Sequence, residues 1–132
     1  MTPAELGARY RAYLDCLNAR DWDSLGDHVH PRALRNGRPL GLSGYRRMLE
    51  GDVAAIPDLR FTATGLVVEP PMLAARLDFD CTPVGRLFDL PVNGRRVRFA
   101  EHVFYRWREG LIHDMRSLTD VDAIAAQLKD RG

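Results

Sequence analysis

The chain has 132 residues, 45% hydrophobic and 28% charged, which is one ordinary globular domain and far from a disordered composition. Its 19 basic and 18 acidic residues leave a net charge of +1, which argues against a nucleic-acid partner; no apolar run reaches the roughly 18 residues of a membrane span. The N-terminal MTPAELGARY has no continuous apolar stretch, and Cys16 and Cys81 match no metal or redox spacing, so a reduced, cytoplasmic setting is expected.

Thr2-Pro3-Ala4-Glu5 is a capping-box pattern with Pro at the first helical position. Leu6, Tyr10, Tyr13, Leu14 and Leu17 then recur at helical spacing, predicting an amphipathic helix over 3–19. Asp21-Trp22-Asp23 opens a short second helix that fades by His28. His30 to Leu42 reads as a loop holding one short extended piece. Ser43 is expected to cap a third helix that stops before Pro57.

Beyond Pro57 the period changes from helix to strand. Leu59–Glu69 and Met72–Thr82 read as strands joined at Pro70-Pro71, and a Gly- and Pro-punctuated connection follows through Gly85, Pro91 and Asn93-Gly94. Arg95–Arg108 and Leu111–Leu118 form a long hairpin, and a last helix covers about 121–129. Helices first and long strands afterwards give an α+β single domain: a curved antiparallel sheet with helices on its concave face, enclosing one small-molecule pocket.

This order of elements resembles the cone-shaped nuclear-transport-factor-2-like fold. Pro57-Asp58-Leu59, Cys81-Thr82-Pro83-x-Gly85, Leu90-Pro91-Val92-x-Gly94-Arg95-x-Val97, Phe104-Tyr105 before Gly110-x-Ile112, and Asp120 followed by Gln127-Leu128 are similar to recurrent signatures of the SnoaL-like polyketide cyclase (ester cyclase) family. The resemblance implies ring closure by aldol chemistry without a cofactor, an Asp as the acid–base group, and a homodimer; no carboxylate at ligand spacing completes a metal site with His28 and His30, so no metal is expected. Asp120 occupies that Asp's position; Arg116 stands where the family carries Trp, and Cys81-Thr82-Pro83 where many members have Gly-Thr-His.

Hairpin register decides which side chains meet. A three-residue loop Arg108-Glu109-Gly110 pairs Phe104 with Asp114 and His102 with Arg116, so that His102, Asp114, Arg116 and Asp120 share one face toward the pocket. A two-residue turn instead puts Glu101 on that face and His102 on the other. Asp120 is the leading acid–base candidate, the alternative being that it caps the last helix. His102 is a candidate base or proton shuttle. Arg76 and Asp78 share a strand face; with Asp120 they resemble the Asp-Arg-Asp arrangement of limonene-epoxide-hydrolase-like enzymes, with Asn36 near the position of a water-orienting Asn. The alternative is an Arg–Asp pair facing solvent. Tyr13 and Phe104 are expected to line the pocket around a small, largely apolar substrate, and a row of Val97, Val103 and Tyr105 is expected on the outer, dimer-forming face. His28, His30 and His113 are read as structural.

Three functions fit this reading: a cofactor-independent cyclase, aldolase-like lyase or isomerase; an epoxide-opening enzyme; or a non-catalytic binding or dimerisation domain.

Overall fold

The computed structural model describes residues 1–129 except Asn93, whose expected turn role lies outside the described residues. Helix α1 spans Pro3–Asn18, and the Thr2 hydroxyl accepts the Glu5 N–H at 3.1 Å, as the capping box requires. A 3-10 turn, Trp22–Asp27, leads into strand β1, Val29–Arg35. Helix α2 covers Gly41–Ala55 and so starts ahead of Ser43. The turn enters at Gly41 with φ +67, and a Cβ there would sit 3.0 Å from the Pro31 carbonyl oxygen, so only glycine allows the helix to begin at this point. Strands β2 (Ala63–Glu69), β3 (Met72–Cys81), β4 (Val97–Arg108) and β5 (Leu111–Thr119) follow, and helix α3 (Val121–Lys129) closes the order.

The five strands form one sheet in the order β1-β5-β4-β3-β2. All neighbouring pairs are antiparallel except β1 with β5, which run parallel, Val29 opposite Ile112 and Arg35 opposite Met115. The segment read as a loop is therefore an edge strand. Its prolines and turn residues hid it, and its ladder to β5 is interrupted between Val29 and Leu34.

Alternation along the strands sorts the two faces. Leu73, Ala75, Leu77, Phe79 and Cys81 of β3, and Val97, Phe99, Val103, Tyr105 and Trp107 of β4, are buried against Leu6, Tyr10, Tyr13 and Leu17 of α1 and Tyr45 and Leu49 of α2. Full burial of each such aliphatic side chain contributes roughly 1.5–3 kcal/mol relative to exposure. Val97, Val103 and Tyr105 thus belong to the core, which corrects their expected place on the outer face. The outward row of β4 is Arg98, His102, Phe104, Arg106 and Arg108, all exposed.

The hairpin register corrects a second expectation. Arg108 pairs directly with Leu111 across a two-residue turn, Glu109-Gly110, both with positive φ (54° and 78°), the primed geometry that suits twisted strands. Trp107 faces Ile112 but Arg106 faces Asp114, so His113 is an extra residue forming a β-bulge. Beyond it Phe104 pairs with Arg116, His102 with Leu118 and Glu101 with Thr119. Met115, Ser117 and Thr119 consequently share the concave side with Glu101. Among the described residues no helix is long and apolar enough to cross a membrane.

Candidate active site

Helices α1 and α2 do not fill the concavity of the sheet. An outer chamber of about 350 Å³, walled by Phe61, Phe79, Phe99 and Leu87, narrows to an inner one of about 40 Å³ floored by Tyr13, Tyr45 and Tyr105. Both chambers are lined by Arg35, Asp52 and Glu101. The connection between β3 and β4 brings Arg86, Leu87 and Phe88 to the mouth, where the Phe88 ring meets Phe99 edge-on.

Glu101 is the one charged residue in the inward row of β4, between Phe99 and Val103. Its side chain is 17% exposed and lies 3.6 Å from Nη2 of Arg35, itself 29% exposed. Removal from water pushes the Glu101 carboxyl above the ordinary carboxylate range; the Arg35 charge and the Ser117 hydroxyl pull it partly back. Asp52, on α2 at the exposed rim, is also raised by desolvation and drawn down by Arg35. One guanidinium thus serves two reluctant carboxylates.

Arg35 is held in place from its own strand end. Nη2 donates to the Ser117 hydroxyl at 3.0 Å. The next residue, Asn36, takes a left-handed conformation (φ 49°) and clamps β1 onto β5. Its Oδ1 accepts the Ser117 N–H at 2.8 Å, its Nδ2 donates to the Ser117 carbonyl at 3.3 Å, and its N–H donates to the Met115 carbonyl at 2.8 Å. Asparagine tolerates that backbone better than most residues. Asn36 is therefore a positioning residue beside the cavity, bound to backbone.

Three buried phenols form the floor, and a fourth, Tyr10, is bonded to Tyr105. Tyr13 and Tyr45 share a hydrogen bond of 2.5 Å between hydroxyls, and Tyr10 and Tyr105 one of 3.1 Å. Burial raises all four, Tyr45 to about 12, so they remain protonated donors at neutral pH. Tyr13 therefore lines the cavity.

The other residues singled out in the sequence lie elsewhere. Arg76 and Asp78 are on the convex face, paired through Nε and Nη2 at 3.1 Å each, with the Thr64 hydroxyl also donating to Asp78. Arg76 stabilises the ionised form of Asp78, which lies below the usual carboxylate range. Asp120 is exposed, accepts the Ala123 N–H at 3.1 Å as the cap of α3, and borders a shallow convex groove with Arg76 and Asp78. The Asp-Arg-Asp arrangement is thus open to solvent, outside the enclosed pocket that epoxide opening through it needs. His102, Phe104 and Arg116 are exposed on the same convex face, and Asp114 is half-buried beside them, 3.9 Å from Arg116. These residues do share a face, as expected, because the two-residue turn and the bulge offset each other in register, but the apolar row of Val97, Phe99, Val103, Tyr105 and Trp107 takes the inside and leaves that face outward. His30 packs edge-on to His113 at 4.9 Å. Among the described residues, no group of three or more His, Cys, Asp or Glu side chains is placed to hold a metal ion.

Arg35, Asp52, Tyr45 and Ser117 were not singled out from the sequence, and Glu101 entered only through the alternative register. The signal for Glu101 was present: Val97, Phe99, Val103, Tyr105 and Trp107 alternate as one apolar row, and Glu101 interrupts it. Arg35 and Asp52 carried no such mark.

Comparison with known proteins bears on what this arrangement does. The family model for SnoaL-like polyketide cyclases matches residues 8–128. The crystal structure of a SnoaL-like polyketide cyclase from Agrobacterium tumefaciens is 53% identical, with a TM-score of 0.93 over 97% of this chain and 99% of that one. TsrD from Streptomyces laurentii is 24% identical with a TM-score of 0.85, covering 97% of each chain. IdmH from Streptomyces antibioticus is 20% identical with a TM-score of 0.80, covering 98% of this chain and 99% of its own. These last two share the fold. No curated protein matches the chain.

Proposed function

The chain belongs to the SnoaL-like polyketide cyclase family and has its nuclear-transport-factor-2-like fold, and from that premise we propose that it is a cofactor-independent acid–base enzyme, a cyclase, aldolase-like lyase or isomerase, acting on a small, largely apolar, polyketide-like carbonyl compound. The single observation that carries this reading is Glu101: one carboxyl with a raised pKa, set in an aromatic-walled cavity and facing a fixed cation. A base poised nearer neutrality both accepts a carbon-bound proton and returns it, which a carboxylate of ordinary pKa does poorly in the second half of the cycle.

In this mechanism the substrate enters past Phe88 and lays its apolar body against Phe61, Phe79 and Phe99. The Glu101 carboxylate takes the proton from the carbon next to a carbonyl. The electron pair moves onto the carbonyl oxygen, and the resulting enolate attacks a second carbonyl carbon or is reprotonated elsewhere on the chain. Arg35 offsets the added negative charge from a fixed position, so little reorganisation accompanies its development. Glu101 then returns its proton to the new alkoxide or carbon.

The homodimer implied by the family resemblance belongs to the same proposal. Phe104 and Leu118, 59% and 79% exposed, and Val67 at 70%, supply an apolar convex surface for it. A non-catalytic binding module has no use for a perturbed acid in its pocket, and Glu101 speaks against that reading.

The test is a screen of polyketide-like ketones and aldehydes for proton exchange or ring closure, run on wild type, Glu101→Gln and Asp120→Asn. Glu101→Gln is expected to lose turnover by about 10²–10⁴-fold while staying folded, and Asp120→Asn to retain it. Full activity of Glu101→Gln, or loss confined to Asp120→Asn, refutes the assignment.

A further inference from the structure

Two hydroxyls joined by one hydrogen bond carry two protons and use only one. Tyr13 and Tyr45 are such a pair, 2.5 Å apart, both buried and both lining the inner chamber beside Glu101 and Arg35. Among the described residues neither phenol has another hydrogen-bond partner, so the accepting hydroxyl still owns an unspent O–H. A buried donor without an acceptor is costly, and natural cores avoid it unless a water or a ligand supplies the acceptor. Either hydroxyl can donate in the shared bond, and in both arrangements one of the two phenols keeps a free proton.

We propose that the Tyr13–Tyr45 pair is the donor site for the substrate's carbonyl oxygen, one phenol giving its free O–H to the oxygen and the other reinforcing it from behind. The inference rests on Glu101 being the proton-transfer group and adds the other half of the site. As the carbon–hydrogen electrons move onto the carbonyl oxygen, that oxygen becomes an enolate, and its hydrogen bond from the phenol pair strengthens because the acceptor is now charged. A neutral phenol whose pKa is lifted to about 12 donates without surrendering its proton to an enolate of lower pKa.

The site also defines a substrate class. Arg35 is already engaged by Glu101, Asp52 and Ser117. Ionised, Glu101 and Asp52 leave the inner chamber with one negative charge in excess of Arg35, while Arg86 stands at the mouth of the outer one. The site therefore takes a neutral enolisable ketone or aldehyde, rather than a carboxylate or phosphate ester, with its oxygen at the phenols and its acidic carbon at Glu101.

A planar phenol is the smallest stable mimic of such an enolate, and 4-nitrophenol reports its own ionisation by colour. Its binding is measured by absorbance and calorimetry in Glu101→Gln, which imitates the protonated acid, and then in Glu101→Gln carrying Tyr13→Phe, Tyr45→Phe or both. Bound 4-nitrophenol is expected to ionise at lower pH than free. Either single Phe variant keeps one proton able to reach the ligand and weakens binding a few-fold. The double variant has none and weakens it by tens of fold, more than the product of the singles.

Thermal stability should run the opposite way. Each single variant strands a buried hydroxyl and lowers the melting temperature, whereas the double strands none and recovers part of the loss. Tyrosines that only pack cannot give this crossed pattern. Equal 4-nitrophenol binding in all Glu101→Gln backgrounds overturns the phenol proposal and leaves Glu101 untouched. Tighter binding to wild type than to Glu101→Gln, with the phenol dependence intact, overturns the reading of Glu101 instead.

Discussion

Arg35 holds down the pKa of Glu101, so Arg35→Met should raise it. With 3.6 Å between Nη2 and Oε2 and an effective dielectric of about 20, the pair's Coulomb energy is about 4–5 kcal/mol. Both side chains keep some contact with water, and Arg35 divides its charge with Asp52, so about half of that or less survives, about 1.5–2.5 kcal/mol. At 1.36 kcal/mol for each pKa unit, the Glu101 carboxyl rises by about one to two. Methionine keeps the apolar stem of the arginine, so the wall of the cavity is preserved. The assay is a carbon-13 titration of the Glu side-chain carboxyls in wild type and Arg35→Met, with Glu101 assigned by its disappearance in Glu101→Gln. A base acts in its ionised form, so the acidic limb of the activity profile should move to higher pH by the same amount. A Glu101 midpoint that stays put or falls, in a variant that keeps its β1–β5 pairing, refutes the reasoning.

Three further outcomes follow from the same geometry. Because the folded-state pKa of Glu101 is raised, its contribution to stability is full below the unfolded value near 4.5 and is lost as pH rises through the folded one; urea titrations should therefore show Glu101→Gln gaining on wild type as pH rises above that unfolded value, and a difference independent of pH contradicts this. Asp120→Ala should cost about 1 kcal/mol by removing the cap of α3, measured by denaturant unfolding, with turnover intact; lost turnover in a folded Asp120→Ala protein returns Asp120 to the chemistry. Phe104→Arg places a charge on the exposed convex face, and sedimentation should show a dimer for wild type and a monomer for the variant; identical sedimentation contradicts pairing through this face.

Much of the architecture was legible because it rests on local signals. The Thr2 cap, the helical spacing of Leu6 to Leu17, the alternation in β3 and the helix over 121–129 all needed only neighbours in sequence to be read. The site was less legible because it depends on two small backbone decisions. Glu109 adopts a positive φ that glycine or asparagine usually supplies, and His113 enters a bulge without glycine or proline to announce it. Each shifts the β4–β5 pairing by one residue, and together they set which side chains of β5 stand beside Glu101; which row of β4 faces the cavity was written in β4 itself. The apolar row around Glu101 contained the answer, but it was outweighed by the place of Gly110 in the turn. Arg35 was hidden for another reason: its strand pairs in parallel with a partner some 80 residues away, and such pairing leaves no local pattern.

The bulge at His113 makes the pocket depend on arithmetic as well as chemistry. Because the bulge takes His113 out of the ladder, Met115, Ser117 and Thr119 look inward; with His113 paired regularly, the same strand would offer Asp114, Arg116 and Leu118 to the cavity. An in-frame loss of the His113 codon would leave Ile112 and Asp114 adjacent, each with its present partner, and keep the whole wall contributed by β5. Among relatives of this fold, one residue can therefore be lost at this corner without rebuilding the pocket, whereas one inserted residue that the ladder does not bulge out would exchange that wall in a single genetic event.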